Sequence, residues 1–338
     1  MVTKIINIDE YTDKEIMMLY NDIPVIIPTE TVYGLSASIY NEQCLKNIFI
    51  FKGRPQDNPL IVHVSSLKML KTIVEFIPKE YEILMEKFWP GPLTLLFKPK
   101  PMLSNTIICN SEYIAIRMPN NKSTLRIIDI VGPLAAPSAN KSGRPSPVTA
   151  QHAHEDMKDK VEYIVEGEMC EIGLESTILL INNDNVDILR PGGVSLEEIQ
   201  ECLNNKNIKR NKNKTVVVPG SKYKHYSPNV PVEIIKKSEI DETIANSSQN
   251  KIAVIMIDPN VNEKPLSEIL NHWENNENQK IMKIFVKNKK DYQHKVFYYL
   301  RELEKFCDII YVEEVDIHNE GLAIMDRLER AAKNDKKN

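Results

Sequence analysis

The sequence predicts two α/β units in tandem. A mixed α/β domain covers residues 1–205 and a small doubly wound parallel-sheet domain covers 231–338, with a basic linker over 206–230 between them. Three observations predict this. Short apolar runs alternate with helical patterns along most of the chain, the signature of α/β architecture. A length of 338 residues exceeds one small domain and suits two. Between Lys206 and Lys224 there are seven Lys or Arg and no Asp or Glu, with Pro219-Gly220 as a break, which reads as a solvated spacer.

In chain order, Thr12 with Glu15 three residues on reads as a capping box that opens a first helix. The apolar run Ile23–Ile27 is a buried strand, with Pro24 near its start, and it feeds directly into Pro28–Leu35. Further strands are expected at Leu60–Val64, Leu93–Lys98, Ile114–Met118, Tyr163–Glu166, Ser176–Ile181 and Val186–Leu189. Helices fall between them, for example Glu80–Phe88, and a helix capped by Ser195 and Glu198 closes the domain. Strands at Val232–Ile235, Lys251–Ile257, Lys283–Val286 and Asp308–Val312, with helices at Asp291–Phe306 and Leu322–Ala332, make the second sheet.

Composition excludes several classes. Hydrophobic residues make up 42% and charged residues 27%, a globular balance with material for a core. A net charge of −4 does not mark a nucleic-acid binder. No apolar run approaches 18 residues, so no membrane span is expected, and the start lacks the apolar core of a secretion signal. The cysteines at 44, 109, 170, 202 and 307 contain no C-x-x-C and fit a reducing, cytoplasmic setting. No histidine spacing writes a metal site; His152 and His154 are expected to face solvent on the helix after Ser146. The second domain has no G-x-G-x-x-G, so a dinucleotide site is not supported.

Chemistry concentrates in the first domain. In Lys52-Gly53-Arg54-Pro55, Pro55 favours an extended Arg54, so Lys52 and Arg54 are expected to project together as a cationic pair. Asn58 and His63 follow at the two ends of the next strand region. In Tyr113–Met118 the alternation places Ile114, Ile116 and Met118 inward and Tyr113, Ala115 and Arg117 on the other face. The stretch Ala135–Pro147 is rich in small and hydroxyl residues, which lets backbone N–H groups approach an anion. Ser146-Pro147 within it reads as N-cap and first helical residue, aiming a helix N-terminus at the loop. Ser176 and Thr177 stand at a strand mouth, and Arg190 ends a strand before Pro191-Gly192-Gly193. Polar groups at several strand ends of one α/β sheet mark the usual place of a ligand.

Taken together, these pieces resemble the threonylcarbamoyl-AMP synthases in their two-domain form. The matching segments are Pro28–Leu35, Lys52–Pro55, Asn58–His63, Trp89–Thr94, Arg117–Pro119, Ala136–Asn140, Ser142-Gly143 with Ser146-Pro147, Glu175–Ile178 and Leu189–Gly192, and Gly321–Leu328 looks like the family's last helix. The resemblance implies a YrdC-like twisted mixed-sheet domain followed by a Rossmann-like domain. It implies an enzyme that joins L-threonine, bicarbonate (or CO2) and ATP, with Mg2+ brought by the ATP, into threonylcarbamoyl-AMP and pyrophosphate. A tRNA threonylcarbamoyl-transferase complex would consume the product; contact with tRNA is possible but not required.

The resemblance also implies residue roles. Thr31, His63, Arg117, the backbone of Ala136, and Ser176 would hold threonine. Arg54, Asn58, Tyr113, Ser138, Asn140, Ser146, Arg190 and Tyr226 would hold ATP and the adenylate, with Lys52 and Arg54 as the catalytic cations. Two positions depart from the family pattern: Tyr113 replaces a small hydroxyl residue, and Glu166-Gly167-Glu168 replaces Asp-Gly-Gly. Two other readings are weaker. An RNA-binding module is disfavoured by the charge of −4, and carbamoyl transfer in hydrogenase maturation by the absence of zinc-finger cysteines.

Overall fold

The structure is a computed structural model that describes residues 1–101, 103–182, 185–204, 208–210, 218, 225–262, 264–270, 272–276 and 279–332. The chain divides into two compact units. Unit 1 comprises Met1–Ser142 and Ser146–Tyr223; unit 2 comprises Gly143–Pro145 and Lys224–Asn338. Most of the expected linker, residues 206–207, 211–217 and 219–224, lies outside the described residues.

The strands of unit 1 are β1 (Lys4–Ile6), β2 (Val25–Ile27), β3 (Gly34–Ser38), β4 (Ile61–His63), β5 (Leu93–Phe97), β6 (Ile114–Arg117), β7 (Leu134–Ala135), β8 (Tyr163–Val165), β9 (Thr177–Asn182), β10 (Asn185–Arg190) and β11 (Ile208–Arg210). Among the described residues they form one mixed sheet in the order β1-β8-β2-β3-β7-β4-β6-β5-β9-β10-β11. Every residue of β2, β4, β5 and β6 is buried, so both faces of the sheet centre are covered. That explains why the alternation expected in β6 does not separate a wet face from a dry one: Arg117 is only 2% exposed. Short strands joined by antiparallel and parallel steps bring the ends of β4, β6 and β7 close to the turn between β2 and β3.

Local chemistry explains the helix ends. Thr12 and Ser195 both form complete capping boxes, with Glu15 and Glu198. Three expectations are corrected. Helix Glu42–Lys52 runs through Lys52 and stops at Gly53 with φ 62°, so Lys52 is helical, not extended beside Arg54. The left-handed glycine, rather than Pro55, ends the helix. The next correction concerns Ser146-Pro147, which does not open a helix. The helix is Ala150–Met157, and its N-cap is Thr149, whose side chain accepts from His152 N. Pro147 is held in loop conformation instead, its carbonyl accepting from Tyr33 N at 2.9 Å. Lastly, His152 does not face solvent; it is buried at 1% exposure on the inner face of that helix.

Unit 2 has β12 (Val232–Ile235), β13 (Lys251–Ile257), β14 (Glu274–Asn276), β15 (Gln279–Val286) and β16 (Ile309–Glu313), in the order β12-β16-β13-β15-β14. The first four in that order are parallel, and β14 runs antiparallel at the edge. Ile252, Val254 and Met256 pack with Ile240 and Ile244 on one face. Helices Lys289–Leu303 and Glu320–Ala331 complete the unit. This is the doubly wound arrangement expected from alternating strands and helices.

Candidate active site

The turn Pro28–Tyr33 between β2 and β3 forms one wall. Thr29 Oγ1 shapes it, donating to Val32 O at 2.6 Å and accepting from Thr31 N and Val32 N, each at 3.2 Å. It also shares a hydrogen bond of 2.9 Å with Thr31 Oγ1. Arg117, at the end of β6, reaches this turn. Its Nη1 donates to Thr31 Oγ1 at 2.9 Å and its Nη2 to Glu30 Oε2 at 3.0 Å. Both side chains of that ion pair are almost fully buried, 3% and 4% exposed. A buried pair of this kind costs desolvation and repays it only through good geometry and further hydrogen bonds. His63 is register partner to Arg117 across β4 and β6. Burial, and then the Arg117 charge, push the His63 pKa down to about 3, so the imidazole is neutral. Burial lowers Arg117 as well, opposed by Glu30.

A second wall is the loop after β7. Ala136 N donates to Ile61 O at 2.9 Å, Leu35 N to Pro137 O at 2.8 Å and Ala139 N to Tyr33 O at 2.8 Å. These bonds stitch the loop to the first wall. Gly34 permits the approach: a Cβ there would lie 3.2 Å from Ala136 Cβ. Lys52 lies behind the loop, 4% exposed, and donates through Nζ to Ser138 O at 2.5 Å and Asn140 O at 2.7 Å. Arg54 folds onto its own turn, Nε donating to Asn58 O at 3.0 Å and Nη2 to Pro59 O at 2.8 Å. The two cations thus anchor backbone carbonyls of two loops.

The third wall is Glu175–Thr177 at the start of β9. Ser176 Oγ hydrogen-bonds Thr94 Oγ1 at 2.7 Å. Arg190, at the end of β10, donates to Ser176 O through Nε at 3.1 Å and Nη2 at 2.7 Å, and to Ser176 Oγ at 3.1 Å. Ser146 Oγ donates to Glu175 Oε1 at 2.5 Å. Gly192 lets these strands meet, since a Cβ there would lie 2.3 Å from Glu175 O.

Of the expected site residues, Thr31, Lys52, Arg54, Asn58, His63, Arg117, Ala136, Asn140, Ser146, Ser176 and Arg190 are all buried in unit 1. Ser138 and Tyr113 are partly exposed there. Tyr226 belongs to unit 2, where it is 3% exposed. Its ring stacks on Phe297 at 5.2 Å and 24°, with Arg327 Cζ 5.2 Å from its centroid. Glu30, Thr94 and Glu175 were missed. Their signal was available: carboxylates and a hydroxyl inside otherwise apolar runs are uncommon unless paired.

Glu30 Oε1, Asn58 Oδ1, His63 Nδ1 and Arg117 Nε are buried polar atoms of this region with no hydrogen-bond partner among the described residues. Buried polar groups in folded proteins are nearly always satisfied, so these orphans at converging strand ends mark a place for a polar ligand.

A mixed α/β enzyme domain with such a cleft, followed by a doubly wound domain, is the class the fold and site define. Residues 17–192 match the family model described as "Telomere recombination", which spans the Sua5, YciO and YrdC proteins. Residues 194–333 match "Threonylcarbamoyl-AMP synthase, C-terminal domain". The chain belongs to the two-domain threonylcarbamoyl-AMP synthase family. It is 35% identical over 322 residues to the threonylcarbamoyl-AMP synthase of Pyrococcus abyssi, covering 91% of this chain and 90% of the relative. Identity to that of Schizosaccharomyces pombe is 35% over 360 residues, covering 92% and 85%. To that of Bacillus subtilis it is 42% over 219 residues, covering 63% of each. The crystal structure of P. abyssi Sua5 complexed with L-threonine superposes with a TM-score of 0.83, 33% identity and 98% coverage of both chains.

Proposed function

We propose that this chain condenses L-threonine, bicarbonate or CO2, and ATP into threonylcarbamoyl-AMP and pyrophosphate, supplying the group that modifies an adenosine beside the tRNA anticodon. The cluster of orphaned buried polar atoms around Arg117 and His63 carries this reading, because it suits a small polar substrate. Family membership supports it, and so does the L-threonine held by the P. abyssi relative.

In this reading Arg117 pairs with the substrate carboxylate, while Thr31, Ser176, neutral His63 and the Ala136 backbone take the remaining polar groups. A site that hydrogen-bonds the threonine hydroxyl rejects analogues lacking it, because its own polar group would be left unmatched. The nucleotide lies along Arg54, Asn58, Tyr113, Ser138, Asn140, Ser146 and Arg190. The threonine ammonium gives up a proton to solvent, and the neutral amine attacks the carbon of CO2, either dissolved or formed from bicarbonate by loss of hydroxide. A second N–H proton leaves, neutralising that hydroxide in the bicarbonate case, and a carbamate remains. A carbamate oxygen then attacks the α-phosphorus, and pyrophosphate leaves with the electron pair of the broken P–O bond. Both reacting partners are anionic, so fixed positive charge at Lys52, Arg54 and Arg190 lowers the barrier.

Among the described residues no group of three or more His, Cys, Asp or Glu is arranged to hold a metal. The cationic and hydroxyl donors of the cleft suit phosphate oxygens, which fits Mg2+ entering with ATP and keeping its waters. The ion would neutralise phosphate charge.

The test is pyrophosphate release by the full chain. Release from ATP is expected only when L-threonine and bicarbonate are both present. Release that ignores threonine overturns the reading. No helix of the described residues is long and apolar enough to cross a membrane.

A further inference from the structure

The roles above give the ammonium of the amino acid no anionic partner. Arg117 answers a carboxylate, and Thr31 and Ser176 answer a hydroxyl, but none of the expected residues is an anionic acceptor for an ammonium. Glu30 is such a group. Its Oε2 holds Arg117 Nη2 at 3.0 Å, while its Oε1 is buried and has no partner. Its backbone is fixed on both sides: Ile172 N donates to Glu30 O at 2.8 Å, and Thr31 N donates to Thr29 Oγ1 at 3.2 Å. The charges around it are simple. Arg117 is cationic, Glu30 is anionic, and His63 is kept neutral by burial and by Arg117. The subsite therefore carries no net charge and presents one group of each sign, which matches a zwitterion. A lone buried Arg117 would instead favour any carboxylate.

We propose that Glu30 recognises the ammonium of the amino-acid substrate, so that the site selects an α-amino acid over the hydroxy acid of the same shape. The assignment rests on the reading that unit 1 binds L-threonine. Oε2 keeps Arg117 in place for the carboxylate, and Oε1 accepts from the ammonium.

The experiment is calorimetric titration of the full chain with L-threonine and with 3-hydroxybutanoate, which is threonine with hydrogen in place of the amino group. The parent chain is expected to bind threonine at least about tenfold more tightly, since hydrogen bonds to charged groups carry roughly 1.5–3 kcal/mol. Glu30→Gln keeps the shape and an acceptor for Arg117 but removes the charge. It is expected to weaken threonine roughly ten- to hundredfold on the same scale and to leave 3-hydroxybutanoate unchanged or tighter. Equal weakening of both ligands means that Glu30 only positions Arg117, and overturns the proposal. So does a parent chain that binds both ligands equally well, a result that needs no variant to fold. A parent chain that binds neither overturns the threonine reading itself, and this assignment with it.

Discussion

Replacing Lys52 by Met separates a cation that builds the site from one that merely decorates it. Met nearly matches the stem of lysine in volume, so packing is kept. What disappears is a buried ammonium donating to Ser138 O at 2.5 Å and to Asn140 O at 2.7 Å. Hydrogen bonds from charged donors contribute about 1.5–3 kcal/mol each, so the pair amounts to about 3–6 kcal/mol. Removing the charge also spares the cost of burying it, which favours the low end, about 3 kcal/mol. The assay is urea unfolding followed by Trp89 fluorescence in a Trp273→Phe background, which leaves unit 1 as the reporter because the chain has only two tryptophans. The amides of residues 138–141 should also lose hydrogen-exchange protection, while Ser142 N keeps its backbone partner, Lys52 O. A midpoint shift worth less than about 0.5 kcal/mol, the range of ordinary surface substitutions, with protection intact would refute the view that Lys52 anchors the loop.

Three further outcomes follow from the geometry. Gly192→Ala would place a Cβ 2.3 Å from Glu175 O and from Ser176 C, both backbone atoms, so unit 1 should lose at least about 2 kcal/mol, and pyrophosphate release should fall with it. His63 has a folded pKa of about 3 against an ordinary 6.5, so the unfolded chain binds the extra proton between those values. Its contribution to stability is complete above pH 6.5 and is lost as pH falls toward 3, with a slope near 1.4 kcal/mol per pH unit within the window. His63→Gln should flatten the urea midpoint between pH 4 and 6.5 relative to the parent. Tyr226→Leu removes the ring stacked on Phe297 and its contact with Arg327, and should destabilise unit 2 by about 1–3 kcal/mol, read from Trp273 in a Trp89→Phe background.

Much of the fold was legible because burial on both faces writes itself as uninterrupted apolar runs. Val25–Ile27 and Leu93–Phe97 are examples, fully buried throughout. The same two-sided burial made β6 misleading. Alternation around Arg117 reads as a solvated face, whereas the residue is covered and its two terminal nitrogens pair with Glu30 and Thr31, far away in sequence. β3, Gly34-Leu35-Ser36-Ala37-Ser38, was not anticipated, because it is made mostly of small residues with little strand propensity, among them Gly34, which lets Ala136 come close. Lys52 was misplaced because the signal at Pro55 is local, while the helix end is set two residues earlier by Gly53. Ser146 had the chemistry of a cap, but a tertiary acceptor, Glu175, claims its hydroxyl. Site residues were recognisable by type and order; their partners depend on which strand ends meet.

The carbonyl-bound heads of Lys52, Arg54 and Arg190 have a consequence for how ligands are received. Long cationic side chains on a surface must be immobilised when a ligand arrives, and each such event subtracts about 0.5–1.5 kcal/mol from affinity. Here their rotamers are already fixed against the main chain of the loops they support. The ordering entropy is thus lost during folding, and the cleft meets its substrates as a rigid frame.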